Sequence, residues 1–290
     1  MTVLIAGPTA CGKSALAMAR AKALGGTVIN ADSMQVYRDL EILTARPSAE
    51  DIEAVPHALY GHVDAAERHS VARWLLEVEA AIAASRDAGR PPVIVGGTGL
   101  YFAALTEGLS AIPAIPDDVR AHWRARQEVD TPEALHAALA ERDAVMAARL
   151  RPSDPQRIVR ALEVFEATGR SLATWQAVRE DPILPLDDTV DAVVVTPDRA
   201  DLRERIAQRF AAMMDGGAVD EAARLAARGL DPTLPAMKAI GVAPLTAFAQ
   251  GRLDRAEAVD AAILQTRQYA KRQETWMRNR FAHWRRVAPP

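Results

Sequence analysis

The apolar positions of this chain fall into two textures. In the first third they come as short unbroken runs: VLIA from Val3 to Ala6, TVIN from Thr27 to Asn30, and VIV from Val93 to Val95. A run of that length with no polar alternation predicts a strand buried on both faces. Between the runs lie stretches of helical composition, SALAMARAKAL after the first and VARWLLEVEAAIAASRDAG later, the latter capped by Ser70 and stopping near Gly89. Strands alternating with helices predict an α/β fold with a parallel sheet covered on both faces.

The texture changes near Ile112. A Pro-rich stretch, AIPAIPDDVR, gives way to Ala- and Arg-rich helical sequence up to about Gln176, and a second one, DPILPLDD, closes it before DAVVVT returns as a buried strand. The chain is therefore expected to comprise a core (1–112), a helical insertion (113–182) and the rest of the core with basic C-terminal helices (183–290). The remainder has helical periodicity punctuated by Gly216, Gly217 and Gly241, with no internal repeat.

Chemistry enters with GPTACGKS, Gly7 to Ser14, placed between the first predicted strand and the first predicted helix. Gly7, Pro8, Thr9, Ala10, Cys11, Gly12, Lys13 and Ser14 satisfy the phosphate-loop (P-loop) pattern in its proper strand, turn, helix context. The glycines allow close backbone approach, loop amides and the helix N-terminus attract an anion, Lys13 reaches an outer phosphate, and Ser14 can ligate Mg²⁺. The motif does not say whose phosphate is held.

Asp32, just past the second strand, lies at the sheet edge where α/β proteins bind ligands. There it can deprotonate an acceptor or hold a metal through water, although Asp32 or Ser33 would also serve as a helix N-cap. GGTG after the third strand brings a third segment to the same edge and turns the Thr98 hydroxyl toward the cleft. Arg157 and Arg160 share one helical face behind Gln156, as do Arg205 and Arg209 in RERIAQRF.

Composition narrows this picture more than it extends it. With 290 residues, 49% hydrophobic and 25% charged, the chain reads as an ordinary globular protein, and no apolar run approaches the roughly 20 residues of a membrane span. No membrane association is expected, and the reading is cytoplasmic. A single cysteine, Cys11, rules out internal disulfides and Cys-cluster zinc sites; it reads as a small side chain at a variable loop position. His57, His62, His69, His122, His136 and His283 show no metal-ligand spacing, so no metal site is expected from them. The net charge of -3 announces no nucleic-acid partner, but the segment from Gln265 to Arg286 carries seven basic residues against one acid, with Tyr269, Trp276, Phe281 and Trp284 among them. That segment suits a phosphate backbone, or equally an amphipathic terminal helix with its aromatics in the core.

The set GPTACGKS, ADSMQVYRDLEILTARP, VPHALYGHVD, VIVGGTGLYFAALTEGL, QRIVRALEVFEATG, MKAIGV and RQYAKRQETWMRNRF closely resembles the bacterial tRNA dimethylallyltransferases, in order and over nearly the whole chain. The resemblance implies a P-loop core whose loop holds the diphosphate of dimethylallyl diphosphate, with Mg²⁺ toward Ser14. It also implies transfer of the five-carbon prenyl group to N6 of the adenosine 3′-adjacent to the anticodon. Asp32 is then the base, and Lys13, Ser14 and Arg209 complete the catalytic set. Contacts with the tRNA anticodon stem-loop are implied for Asp32, Ser33, Met34, Gln35, Thr98, Arg120, Gln156, Arg157, Ile158, Val159, Arg160, Lys238 and Gly241. A monomer is expected.

Five positions depart from the family pattern, two of them mildly, since Glu41 and Arg46 stand for a usual Asp and Lys. Leu43 stands where relatives usually have a glycine, and it cannot replace one that needs positive φ; Ala58 and Val242 replace a usual His and Tyr. The Cys and His pairs of the eukaryotic relatives' zinc finger are absent. Two rivals remain at this point: an ATP-using P-loop small-molecule kinase with Asp32 activating an acceptor hydroxyl, and a non-catalytic RNA-binding protein with a vestigial loop.

Overall fold

The computed structural model describes all 290 residues. Six strands, β1 (Thr2–Ala6), β2 (Thr27–Asn30), β3 (His57–Ala58), β4 (Pro92–Gly96), β5 (Val190–Val195) and β6 (Arg285–Val287), form one sheet in the order β3-β2-β4-β1-β5-β6. Every pairing is parallel. β1, β2 and β4 are buried along their whole length, as their unbroken apolar runs require. The short strands β3 and β6 have no run that distinguishes them and are found only by their pairing at the two edges.

The helices are α1 (Lys13–Leu24), α2 (Ala49–Ala54), α3 (Val71–Asp87), α4 (Gly99–Glu107), α5 (Asp117–Val129), α6 (Pro132–Arg142), α7 (Ala144–Arg149), α8 (Pro155–Thr168), α9 (Leu172–Gln176), α10 (Arg199–Asp215), α11 (Ala218–Ala227), α12 (Val242–Ala249) and α13 (Arg255–Arg280). None is long and apolar enough to cross a membrane. As expected, Ser70 caps α3, its side chain accepting the Arg73 N–H at 3.2 Å.

The chain divides into two compact units, Met1–Thr106 with Ile183–Pro290, and Glu107–Pro182. In the first, one apolar cluster between sheet and helices gathers Leu4, Ile29, Trp74, Ile94, Phe102, Phe281 and Trp284. A second joins Val36, Tyr37 and Leu40 to Phe210, Leu225 and Leu245. In the second, α5 to α9 close on their own core around Trp123, Leu135, Ile158 and Leu162. The helical unit starts at Glu107 and not at the Pro-rich stretch around 112, because its entry and exit segments pair. Arg179 Nη1 lies 2.8 Å from Glu107 Oε2, and Glu180 N–H donates to Leu109 O at 3.0 Å.

The basic C-terminal segment resolves into α13 followed by β6. Its seven cations are exposed, while Phe281 and Trp284 enter the core. The helical reading of this segment fits α13, and the cations lie on the segment's exposed side, where Arg285 pairs with Asp191 at 2.7 Å.

Candidate active site at the phosphate edge

β1 delivers the chain to Gly7, and the loop turns on two left-handed residues, Ala10 (φ 63) and Gly12 (φ 88), before Lys13 opens α1. Alternating handedness curls successive amides toward one concavity, an anion-binding nest continuous with the helix N-terminus. A Cβ on Gly7 would stand 2.6 Å from Cys11 Sγ, so glycine is required for the loop to close over that buried sulfur. Burial pushes the Cys11 thiol up against the pull of Lys13, which suits a packing residue and not a redox one. Lys13 Nζ donates to Pro8 O at 3.2 Å, holding the ammonium over the loop, and Ser14 is exposed on the first turn of α1.

Two helices from the far end of the chain complete this edge. From α10, Arg209 Nη2 donates to Thr9 Oγ1 at 2.6 Å, and Arg205 lies against Gly12, where a Cβ would meet its Nη1 at 3.3 Å. Burial lowers the Arg209 pKa, and Asp32 and Cys11 oppose that shift, so the guanidinium is a desolvated cation facing a carboxylate. From α13, the buried Gln273 accepts the Thr9 N–H at 2.8 Å and donates to Gly97 O at 2.9 Å. One amide side chain thus bridges the P-loop and the GGTG turn. The bridge also explains Gly97, since a Cβ there would stand 2.2 Å from Gln273 Nε2.

Asp32 is positioned by Asn30, which is fully buried at the end of β2. Asn30 Oδ1 accepts the Asp32 N–H at 2.8 Å, and its Nδ2 donates to Asp32 O and Leu59 O at 2.9 and 3.0 Å. Asp32 Oδ1 accepts the Met34 N–H at 2.9 Å, and Oδ2 lies toward Gly97. A cavity of about 280 Å³ opens here, lined on its polar side by Thr9, Asp32, Arg209, Lys238 and Arg272 and on its apolar side by Leu43, Ile206, Phe210 and Met213. Tyr269 closes one wall, its phenol pushed up by burial and by the Asp32 charge.

The other residues singled out from sequence fall in three groups. Ser33, Met34 and Lys238 line the same cavity as Asp32. Thr98 does not offer its hydroxyl freely to the cleft: its Oγ1 accepts the Ser33 N–H at 2.9 Å and donates to Ser33 Oγ at 3.3 Å, tying two loops together. Gln35 likewise spends its Nε2 on Thr44 O and Ala45 O, both at 2.9 Å, and Gly241, at φ 91, packs under Leu43. In the helical unit Gln156 and Arg157 are exposed, Arg157 lying 3.4 Å from Asp154. Arg160 is 3.3 Å from Glu163, and Arg120 is 3.8 Å from Asp117. The side chains of Ile158 and Val159, for which contact with RNA is expected, turn into the unit's own core, because α8 is amphipathic and these are on its apolar face.

Leu43 also resolves differently from what its glycine-like place suggests. It avoids the left-handed region, which Ala45 occupies instead at φ 52. The buried carboxylate of Glu221 accepts the N–H groups of Glu41, Ile42 and Leu43 at 2.8, 2.8 and 2.9 Å, which fixes the loop without a glycine. Asn30, Gln273 and Glu221 were missed in the sequence. AKRQETW, which holds Gln273, was the one available signal, and it could not be resolved into residues without the partners that α13 meets.

The fold and this edge define a P-loop α/β protein whose anion cradle opens onto a cavity containing a carboxylate and a buried arginine. The family model described as IPP transferase matches residues 35–280, and the one described as isopentenyl transferase matches residues 1–60. A tRNA dimethylallyltransferase of Rhodopseudomonas palustris is 55% identical over 287 residues, 99% of this chain and 89% of that one. Among solved structures, the tRNA isopentenylpyrophosphate transferase of Bacillus halodurans superposes with a TM-score of 0.69 at 34% identity, covering 99% of this chain and 89% of that one. A eukaryotic dimethylallyltransferase acting on tRNA gives a TM-score of 0.82 at 26% identity, covering 99% and 73%. The chain belongs to the IPP transferase family, among the bacterial tRNA dimethylallyltransferases.

Proposed function

We propose that this enzyme transfers the dimethylallyl group of dimethylallyl diphosphate to N6 of the adenosine 3′-adjacent to the anticodon of tRNA, releasing diphosphate. The observation that carries the reading is the convergence of Thr9, Arg209 and Asp32 on one partly apolar cavity. An anion end, a hydrocarbon wall and a base are the parts this reaction needs. The same convergence supports prenyl transfer over phosphorylation of a small acceptor, since a five-carbon hydrocarbon chain fills an apolar wall placed beside the anion end.

In this reading the loop from Gly7 to Ser14 cradles the diphosphate, and Lys13 and Arg209 neutralise it. As the prenyl carbon leaves, its C–O bond breaks and charge accumulates on the departing diphosphate, where preorganised amides and cations stabilise it most. The new C–N bond forms from the adenine amine, a poor nucleophile because its lone pair is conjugated with the ring. Asp32 accepts the proton that amine loses. The prenyl chain lies against Leu43, Ile206, Phe210 and Met213. The target base must leave its stack to reach this cavity.

Mg²⁺ fits the donor set only in part, because Ser14 supplies a single hydroxyl and the remaining ligands would be diphosphate oxygens and water. When bound it supplies charge neutralisation of the leaving group. RNA contacts are assigned to Ser33, Met34 and Lys238 in the core unit, and to Arg120, Gln156, Arg157 and Arg160 in the helical unit. The enzyme is read as a cytoplasmic monomer. Mass spectrometry of nucleosides, after incubating unmodified tRNA with protein, Mg²⁺ and dimethylallyl diphosphate, tests the proposal. A C5 addition on that adenosine is expected. No addition, with ATP consumed on a small acceptor, would replace the reading with the kinase.

A further inference from the structure

Away from the phosphate edge, the core unit gathers three ligand-type side chains that chain spacing does not announce. His62 lies in the loop after β3, His69 immediately precedes the Ser70 cap of α3, and Glu77 stands on that helix. The Nε2 atoms of His62 and His69 approach the same oxygen, Glu77 Oε2, at 3.0 and 2.8 Å. The ligand atoms all lie within 4.8 Å of one another.

We infer that His62, His69 and Glu77 form a binding site for a divalent first-row cation of the Zn²⁺ type. Two imidazoles and one carboxylate are a common protein ligand set for zinc, at bonds of about 2.0–2.2 Å, with a water in the fourth position. The rings meet edge to face with centroids 5.9 Å apart, so both nitrogens can point at one centre. An ion there replaces the two Nε2 protons that now face Glu77, with only a small outward shift of the carboxylate.

The remaining ligand atoms are already held, as a metal site requires. His69 Nδ1 lies 3.2 Å from Tyr101 Oη, and Arg73 Nε lies 2.9 Å from Glu77 Oε1. When Nε2 of His69 binds the ion, its proton belongs on Nδ1, which then donates to the Tyr101 oxygen. The nearby Arg73 charge is partly offset by Glu67, 2.7 Å from Arg73 Nη1. His69 has no exposed side chain, whereas His62 and Glu77 are 31% and 21% exposed, which gives the ion an entry path from solvent. Bound metal would staple the loop after β3 to α3. The site is independent of the proposed Mg²⁺ near Ser14, because hard Mg²⁺ prefers oxygen ligands.

The full chain, stripped with chelator, should be titrated with Co²⁺ and with Zn²⁺ in excess Mg²⁺. One equivalent of Co²⁺ is expected to give the visible absorption of a low-coordinate site, and Zn²⁺ should displace it. Losing a supporting group typically costs 10- to 100-fold in affinity, so losing a ligand in His62→Ala or Glu77→Gln should cost about 100-fold or more. His62→Cys should retain binding. Circular dichroism of each apo variant separates lost ligation from lost fold. No Co²⁺ spectrum with the wild type, or equal binding by wild type and His62→Ala, would overturn the site and leave the cluster a hydrogen-bonded triad.

Discussion

The phosphate edge and the helical unit are built by opposite means. In the helical unit the decisive polar contacts are local: Thr131, Asp143 and Asp154 each cap a helix by accepting an N–H three residues ahead, and Ser171 accepts one two residues ahead. At the phosphate edge the same kind of contact spans the chain. Gln273 reaches Thr9 across 264 positions, Arg209 reaches the same residue across 200, and Glu221 holds Leu43 across 178. Local caps specify where helices start, whereas long-range bridges specify where reacting groups stand. A site needing sub-ångström placement is held by the second kind.

The comparison is broken most directly by substitutions that should damage one side only. Asp32→Ala removes the proposed base, and a turnover loss of about 10²- to 10⁴-fold is expected, the range of general base catalysis. Single-turnover prenylation beside a tRNA binding titration checks it; equal losses of rate and binding would mean that Asp32 holds RNA and not the proton. On the other side, Ile158→Ala should destabilise the helical unit by about 2–5 kcal/mol, the usual cost of emptying a buried Ile site. Its partner control, the exposed Arg157→Ala, should leave the melting curve unchanged and weaken tRNA binding with a shallower salt dependence.

Smaller effects sharpen the contrast. Arg209→Ala should weaken binding of the prenyl donor by about 10- to 100-fold, equivalent to the 1.5–3 kcal/mol of a charged hydrogen bond. Isothermal titration with a non-reactive diphosphate analogue measures it directly. Gln273→Leu leaves the Thr9 N–H and the Gly97 carbonyl without their partner, at a cost of about 1–3 kcal/mol for each group that water cannot reach. Denaturant unfolding together with donor affinity would show whether the bridge stabilises the fold, the loop or both.

The smallest expected effect is on pH dependence. Burial, only partly opposed by Glu77, holds the His69 pKa below its ordinary value. The unfolded chain therefore binds this proton more readily, so stability should fall as pH drops below about 6.5 and level off once the depressed native value is passed. Thermal melts in chelator across that window, on wild type and His69→Gln, should show a flatter profile for the variant.

Much of this molecule was legible before its fold. Unbroken apolar runs give β1, β2, β4 and β5, and the capped amphipathic stretches give the helices, because burial on both faces or on one stripe leaves a direct imprint on residue order. The P-loop and the candidate base Asp32 were equally visible, since each lies on a short local segment whose spacing is its chemistry. The edge strands β3 and β6 were not, because two or three paired residues leave no periodic signal. Nor were Asn30, Gln273 and Glu221, whose roles consist of reaching backbone groups far away in the chain. Sequence alone thus determined the phosphate loop, the strands that carry it and the family. Only the tertiary structure decided that Gln273 bridges the loop to the GGTG turn, that Ile158 and Val159 turn inward, and that two histidines converge on Glu77. The physical reason is range: chain order encodes contacts within a turn or a strand, and contacts between distant segments exist only once the core has packed.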